Sequence, residues 1–389
     1  EYEGDGAMRW KKVKLSEVCK SISDGDHQPP PKATSGIPFV TIANIKDNKF
    51  DFTNTMFVSR EYYEKLDSKR KTQEGDILYS VVGSFGIPVY IDNECEFVFQ
   101  RHIAILRPDK EKVLPKFLYY TMLSRDFYMT ADAVALGVAQ RTVSLTSLRA
   151  MEIELPPIRT QENIVKVLNP YDQLIENNKK QIKLLEEAAE RLYREWFVDL
   201  HFPGYEKCKI VDGVPEGWKN RTVGEVIEKP VRSKQIMTSN YQKSGLIPII
   251  DQSRDFIAGY TNDAEALVEK DVPIIVFGDH TRVLKYIQFP FAKGADGTQL
   301  IISNCDEMPQ SLLYCSLVSI DLSNYHYARH FKYLKAEKVL IPNLKIANMF
   351  DKFCSEIFEE IQCKRNQIVK LTEARDRLLP KLMNGEIEI

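Results

Sequence analysis

Between Pro170 and Phe197 the chain alternates steps of four and three between Tyr171, Ile175, Asn178, Ile182, Leu185, Ala189, Leu192 and Trp196, and Asn178 alone is polar. That 3.5-residue repeat predicts a helix with one apolar seam, which needs a second helix to cover it. The chain supplies one. A shift of 186 residues lays Leu155-Pro156 on Ile341-Pro342, Gln181-Ile182 on Gln367-Ile368 and Arg191-Leu192 on Arg377-Leu378. It also carries the seam onto Ile357, Ile361, Lys364, Ile368, Leu371, Arg375, Leu378 and Leu382. The pattern predicts an internal duplication in which each copy ends in a long helix. The expected interface sets Tyr171, Ile175, Asn178, Ile182, Leu185 and Leu192 against Ile357, Ile361, Lys364, Ile368, Leu371 and Leu378. Polar residues at Asn178 and Lys364 would fix its register at some cost in stability, unless both ends reach solvent.

Ahead of each helix the period changes from 3.5 to short apolar runs broken by turn residues, the signature of strands. The first copy offers residues 39–42, 77–82, 89–91 and 103–106, and the second 248–250, 274–277, 286–289 and 300–302. Helices are expected from Pro115, with proline in its first turn, and over residues 310–318. Further echoes link Trp10-Lys11 to Trp218-Lys219 at a shift of 208, and Gly36–Val40 to Leu246–Ile250. Unequal shifts mean shared strands joined by loops of different length, where recognition diverges on a common scaffold. Asn169-Pro170 reads as an N-cap and first helical residue, so the first long helix is expected to start there, with a separate short helix or turn over residues 160–168. Pro203-Gly204 ends it, and the second helix is expected from Lys345 to a stop at Pro380. The stretch from Pro170 to Phe197 would be on the order of 40 Å long.

This organisation predicts an α+β fold: two pseudo-repeated α/β domains separated by two long antiparallel coiled-coil helices. The expected segments are residues 8–155, a helical spacer over 156–200, a second domain over 201–342 and a C-terminal spacer over 343–389. Residues 1–7 read as a tag ahead of a start at Met8. With 43% hydrophobic residues, extended disorder is not expected, and no apolar run reaches the 18 to 20 or so residues that span a bilayer. A cytoplasmic protein is expected. Seven cysteines with no CxxC argue for reduced thiols and against a zinc knuckle or disulfide frame.

Catalytic motifs are missing: there is no GxGxxG, GxxxxGK[ST], HExxH or GxSxG, and no Asn-Pro-Pro-aromatic methyltransferase motif. Pro108 to Lys112 reads as a solvated loop before a helix rather than a nuclease cluster. His326 and His330 stand four apart, as a metal pair would, but lack a third ligand; Asp24 and Asp26 precede prolines and read as a recognition turn. No metal and no cofactor are expected on this chain. The stretch from Tyr325 to Lys335 instead mixes cations and aromatics, as phosphate neutralisation and base-edge reading require, and the repeat aligns its opening with Gln140-Arg141-Thr142. A net charge of -2 places such binding in local patches or in partners.

Several phrases, in order about the helices, resemble the specificity subunits of type I DNA restriction-modification systems. They are SDGDHQPP at Ser23, GIPFVTIANI at Gly36, ELPPIRTQENIVKVL at Glu154, GDHT at Gly278, FAKGADGT at Phe291 and YARHFKYLK at Tyr327. The resemblance covers nearly everything after Met8. It implies two target recognition domains, each reading one half of a split site on double-stranded DNA, held apart by the helix pair. It also implies two modification subunits that supply S-adenosylmethionine and the adenine methylation, with motor-nuclease restriction subunits joining for cleavage. Helix length would then set the unread gap, and this chain would itself be non-catalytic. The candidate DNA contacts in the first copy are His27, Gln28, Asn44, Lys46, Ser80, Ser84, Gln100, Arg101, Gln140 and Arg141. In the second they are Gln252, Arg254, Asp279, His280, Thr281, Lys293, Thr298, His326, Arg329, His330 and Lys332. A rival expectation is a coiled-coil scaffold without sequence-specific DNA binding.

Overall fold

The structure, a computed structural model, describes residues 10–27, 30–93, 95–137, 140–229, 233–271, 273–325, 329–387 and 389. Two compact units divide it: Glu1–Ile175 with Lys370–Ile389, and Glu176–Val369.

In the first unit, β1 (Lys11–Lys14) pairs antiparallel with the distant β9 (Glu152–Leu155), so the start and end of the globular part are zipped together at the mouth of the first long helix. The main sheet sets β2 (Cys19–Asp24), β8 (Ile103–Pro108), β5 (Ile77–Ser80) and β6 (Pro88–Tyr90) side by side. A smaller sheet places β3 (Ile37–Val40) antiparallel to β4 (Met56–Val58) and parallel to β7 (Val98–Phe99). All four residues of β5 are buried because the sheet has apolar cover on both faces. Part of that cover is α1 (Pro115–Leu123), which begins at its proline as expected and buries Phe117, Leu118 and Tyr120. Then follow α2 (Arg125–Val134) and α3 (Leu145–Ala150).

The second unit repeats this plan. Here β10 (Lys219–Thr222) pairs antiparallel with β17 (Lys338–Ile341), matching β1 and β9 at shifts of 208 and 186. Next, β11 (Ile247–Ile250) lies antiparallel to β12 (Gly259–Thr261) and parallel to β15 (Ala292–Gly294). The strand β13 (Ile274–Gly278) lies between β14 (Leu284–Ile287) and β16 (Thr298–Ile301). Among the described residues, the counterpart of β2 is one bridge, Ile227 with Ser303. Helices α4 (Gln310–Val318) and α5 (His330–Ala336) match α1 and α3, and none of the described residues forms a match for α2. All eight expected strands are present within two residues or so of their limits. Their parallel β3–β7 and β11–β15 pairings had no signal in the local pattern.

The long helices correct two expected boundaries. The leading one runs unbroken from Ile158 to Tyr193 with Pro170 inside it, and the trailing one from Leu344 to Met383 with Pro380 inside. Proline at 170 deprives the Lys166 carbonyl of its helical donor, but both residues lie on the exposed face, where water can take the donor's place. Two residues before and five residues after the proline, Leu168 and Ile175 are buried and hold the helix through the defect. The leading helix closes on a π-helical turn, Arg194–Val198. The trailing helix is N-capped by Asn343, whose Oδ1 accepts from the Ile346 amide at 3.0 Å.

Each unit packs its own share of the two helices antiparallel. In the first, Leu168 shares a core with Leu379 and Leu382, and Arg375 pairs with Asp172 at 2.9 Å while the Tyr120 hydroxyl donates to the same carboxylate at 2.6 Å. In the second, Asn178 is buried and donates to Gln367 Oε1 at 3.1 Å, and Glu186 meets Arg365 at 3.1 Å. Tyr171, Ile182, Leu185, Leu192, Ile368, Leu371 and Leu378 are half-buried, as a two-helix seam leaves them. Lys364 folds back to Glu360 at 3.0 Å instead of pairing across the seam. N-terminal to Ile361 the trailing seam continues through Phe358, Cys354 and Phe350, one residue out of step with Ile357, which packs beside it. None of the described helices is long and apolar enough to cross a membrane, and all seven cysteines are free thiols.

Candidate nucleic-acid interface

In the second unit four segments converge beyond the ends of β11 and β13: residues 251–255, 279–282, 295–298 and the start of α5. Gln252 is the hub. Its Nε2 donates to the Asp296 carbonyl at 2.8 Å, its Oε1 accepts from the His280 amide at 3.2 Å, and its carbonyl accepts from Thr281 Oγ1 at 2.6 Å. The approach is close enough to exclude a side chain at Gly297, where φ is +82 and a Cβ would lie 2.7 Å from the Gln252 amide group. Asp279 is buried; its amide donates to the Gly297 carbonyl at 2.7 Å, and its Oδ1 accepts from the Phe331 amide at 2.8 Å. On this frame Arg254, His280, Thr281, Arg329 and Lys332 are exposed.

Three expected contacts of this unit are internal. Thr298 is 1% exposed and donates to the Ala295 carbonyl at 2.9 Å, closing the turn before β16. His330 is buried with Nδ1 and Nε2 each 2.8 Å from a backbone carbonyl, of Asp279 and Tyr325, so neither nitrogen is free for DNA or metal. Asp279 is occupied as a cap. These residues shape the loop cluster from within. Lys293 is half-buried, and desolvation pulls its pKa below the usual lysine range.

The first unit brings the matching segments together. The Arg101 amide donates to Asp26, the Val81 amide to His102 and the Gly83 amide to Arg141, each at 2.9 Å, and Val82 bridges Thr142. His27, Ser84, Arg101 and Gln140 are exposed on this cluster, and Gln100 is half-buried beside them. His27 Nε2 lies 2.9 Å from Asp24 Oδ2. Arg141 pairs with Asp132, and its guanidinium lies 5.6 Å from the Phe85 ring centroid. Ser80 corrects the expectation: it is fully buried in β5, where its Oγ accepts from the Ile87 amide at 2.9 Å. Asn44 and Lys46 are engaged in their own hairpin, Asn44 Oδ1 accepting from the Thr41 amide at 2.9 Å and Lys46 pairing with Asp51. Gln28 and His326 lie outside the described residues.

Sequence reasoning missed Lys285, Arg282 and the Phe256–Arg365 contact. Lys285 stands at an inward position of β14, where a lysine between apolar neighbours is itself a signal. Arg282 takes a left-handed φ of +61 and donates to the Leu322 carbonyl at 2.9 Å. Exposed arginine, lysine and glutamine on turns held by backbone bonds can meet phosphates and base edges. The described residues contain no cluster of three or more His, Cys, Asp or Glu placed to hold a metal ion.

The model of the type I restriction modification DNA specificity domain matches residues 8–187. The type I restriction enzyme MjaIX specificity subunit of Methanocaldococcus jannaschii is 26% identical over 72% of this chain and 71% of its own length. The type I restriction enzyme HindI specificity subunit of Haemophilus influenzae is 22% identical over 97% of this chain and 99% of its own. Among solved structures, the type I restriction-modification S subunit from M. genitalium has the same fold, with a TM-score of 0.58 at 17% identity over 98% of both chains.

Proposed function

We propose that the chain is a type I restriction-modification specificity subunit, as the match over residues 8–187 and the relatives matched over most of their length support, and that each unit reads one half of a bipartite duplex DNA site through its loop cluster. The chain is a non-catalytic recognition subunit of a restriction-modification system. The observation that carries the two-headed reading is the repetition of one topology with one loop cluster at the same strand ends in both units. Unlike side chains on those shared ends, Arg101 and Gln140 in one unit and Arg254, His280 and Arg329 in the other, suit two different half-sites.

The outer faces of the long helices dock two modification subunits, which hold S-adenosylmethionine and methylate adenine, and restriction subunits join that assembly in the cytoplasm. This chain's residues supply placement, and the methyl transfer takes place on the partner. Mapping adenine methylation at single-base resolution, in cells expressing the chain with its modification subunit, should show two short half-sites across a constant unread gap. Methylation without a bipartite motif overturns the reading.

A further inference from the structure

The connection between β11 and β12, residues 251–258, carries Gln252 and Arg254 yet has no helix or strand of its own. In the first unit the matching connection is braced by a small hairpin, Ile45–Lys46 against Lys49–Phe50, and Asn48 Nδ2 donates to the Pro88 carbonyl at 2.9 Å. Two cations replace that brace in the second unit. Lys285 is 4% exposed, and its Nζ lies 2.8 Å from the Asp251 carbonyl oxygen, 2.5 Å from that of Asp255 and 3.9 Å from Asp251 Oδ1. One residue further, the Arg365 guanidinium lies 3.8 Å from the centroid of the Phe256 ring. Arg365 belongs to the trailing helix and pairs with Glu186 of the leading one.

An irregular loop with few internal bonds has many conformations to lose, whereas bidentate base reading needs donors and acceptors held within a fraction of an ångström. Charge-assisted bonds from a buried ammonium to two carbonyls four residues apart remove that freedom directly. The cation on the Phe256 ring fixes the end of the loop to the helix pair.

We propose that Lys285 and Arg365 are specificity-positioning residues, which hold the 251–256 loop in one geometry for base reading and tie that reading to the helix pair of the same unit. The inference rests on the reading of the second unit as a DNA-reading head. Its test compares Lys285→Met and Arg365→Met with the parent, each co-expressed with the modification subunit and mapped for methylated motifs. Each variant should become degenerate at one or more base pairs of the same half-site, discrimination there falling about tenfold or more, the order of one lost base contact. The other half and the gap should stay as they were.

Arg107→Met is the control. It breaks a buried pair with Asp76, 2.8 Å in the first unit's sheet, and should lower thermal stability while leaving the second unit's half-site strict. An unchanged motif in either positioning variant, or the same degeneracy in the control, overturns the proposal. Should Lys285→Met not accumulate as folded protein, Arg365→Met and Lys285→Arg decide in the same way. A parent without any bipartite motif would instead sink the DNA-reading premise, so the two failures are distinguishable.

Discussion

Burial pushes the Lys285 ammonium down to about 8, against the pull of the Asp251 and Asp255 carboxylates. Between that value and the ordinary 10.5 the unfolded chain binds the proton and the folded chain has released it. Stability from this group therefore rises with pH across the window, by at most about 1.4 kcal/mol per unit. The stability difference between parent and Lys285→Met, measured by chemical denaturation, should grow in the parent's favour from pH 8 to 10; a flat difference would show that Lys285 is solvated. Residues of this kind were the hardest to read beforehand. Ser80 and Thr298 have the right chemistry for base contact and sit near strand ends, but their strands are covered on both faces, so alternation along the chain could not say which way they point. Arg101, Gln140, Arg254 and His280 were legible because they fall in turns, where polar side chains have little else to do than face out.

At the scale of elements, the strands and the heptad seam were legible because their periods are local properties. The helix boundaries were not, since Asn169-Pro170 has the chemistry of a helix start and only tertiary packing around Leu168 and Ile175 overrides it. Pro170→Ala returns a donor to the Lys166 carbonyl, and thermal denaturation should show a gain of about 1 to 3 kcal/mol with no change in methylated motif. A loss of stability would mean that the proline is accommodated without cost. The proposed two-headed reading makes the helices a ruler, which an insertion tests. Inserting one heptad after Leu185, with a matching heptad in the trailing helix near Lys364, keeps the seam in phase and adds about 10 Å, or roughly three base pairs at 3.4 Å each. Methylation mapping should then find both half-sites intact and the gap longer; an unchanged gap would refute the ruler.

For the whole molecule, a net charge of -2 means that few counterions are released when this chain alone meets DNA. Titration at physiological salt should give weak binding by the isolated chain, with a shallow salt dependence, and tight, more salt-dependent binding once modification subunits are added; nanomolar specific binding by the chain alone would contradict this. The duplication was readable from the sequence, but the grouping of residues 370–389 with the first unit was not, because a seam pattern does not say which head a helix end will pack beneath. That grouping has a consequence for biosynthesis. Leu379 and Leu382 complete the core around Leu168, so the first-made unit lacks part of its interior until the second has been translated. At about 5 to 20 residues per second the ribosome needs roughly ten to forty seconds to cover that distance. The unit encoded second is thus the first able to fold to completion, and the unit encoded first waits, open along one side, for the last turns of the chain.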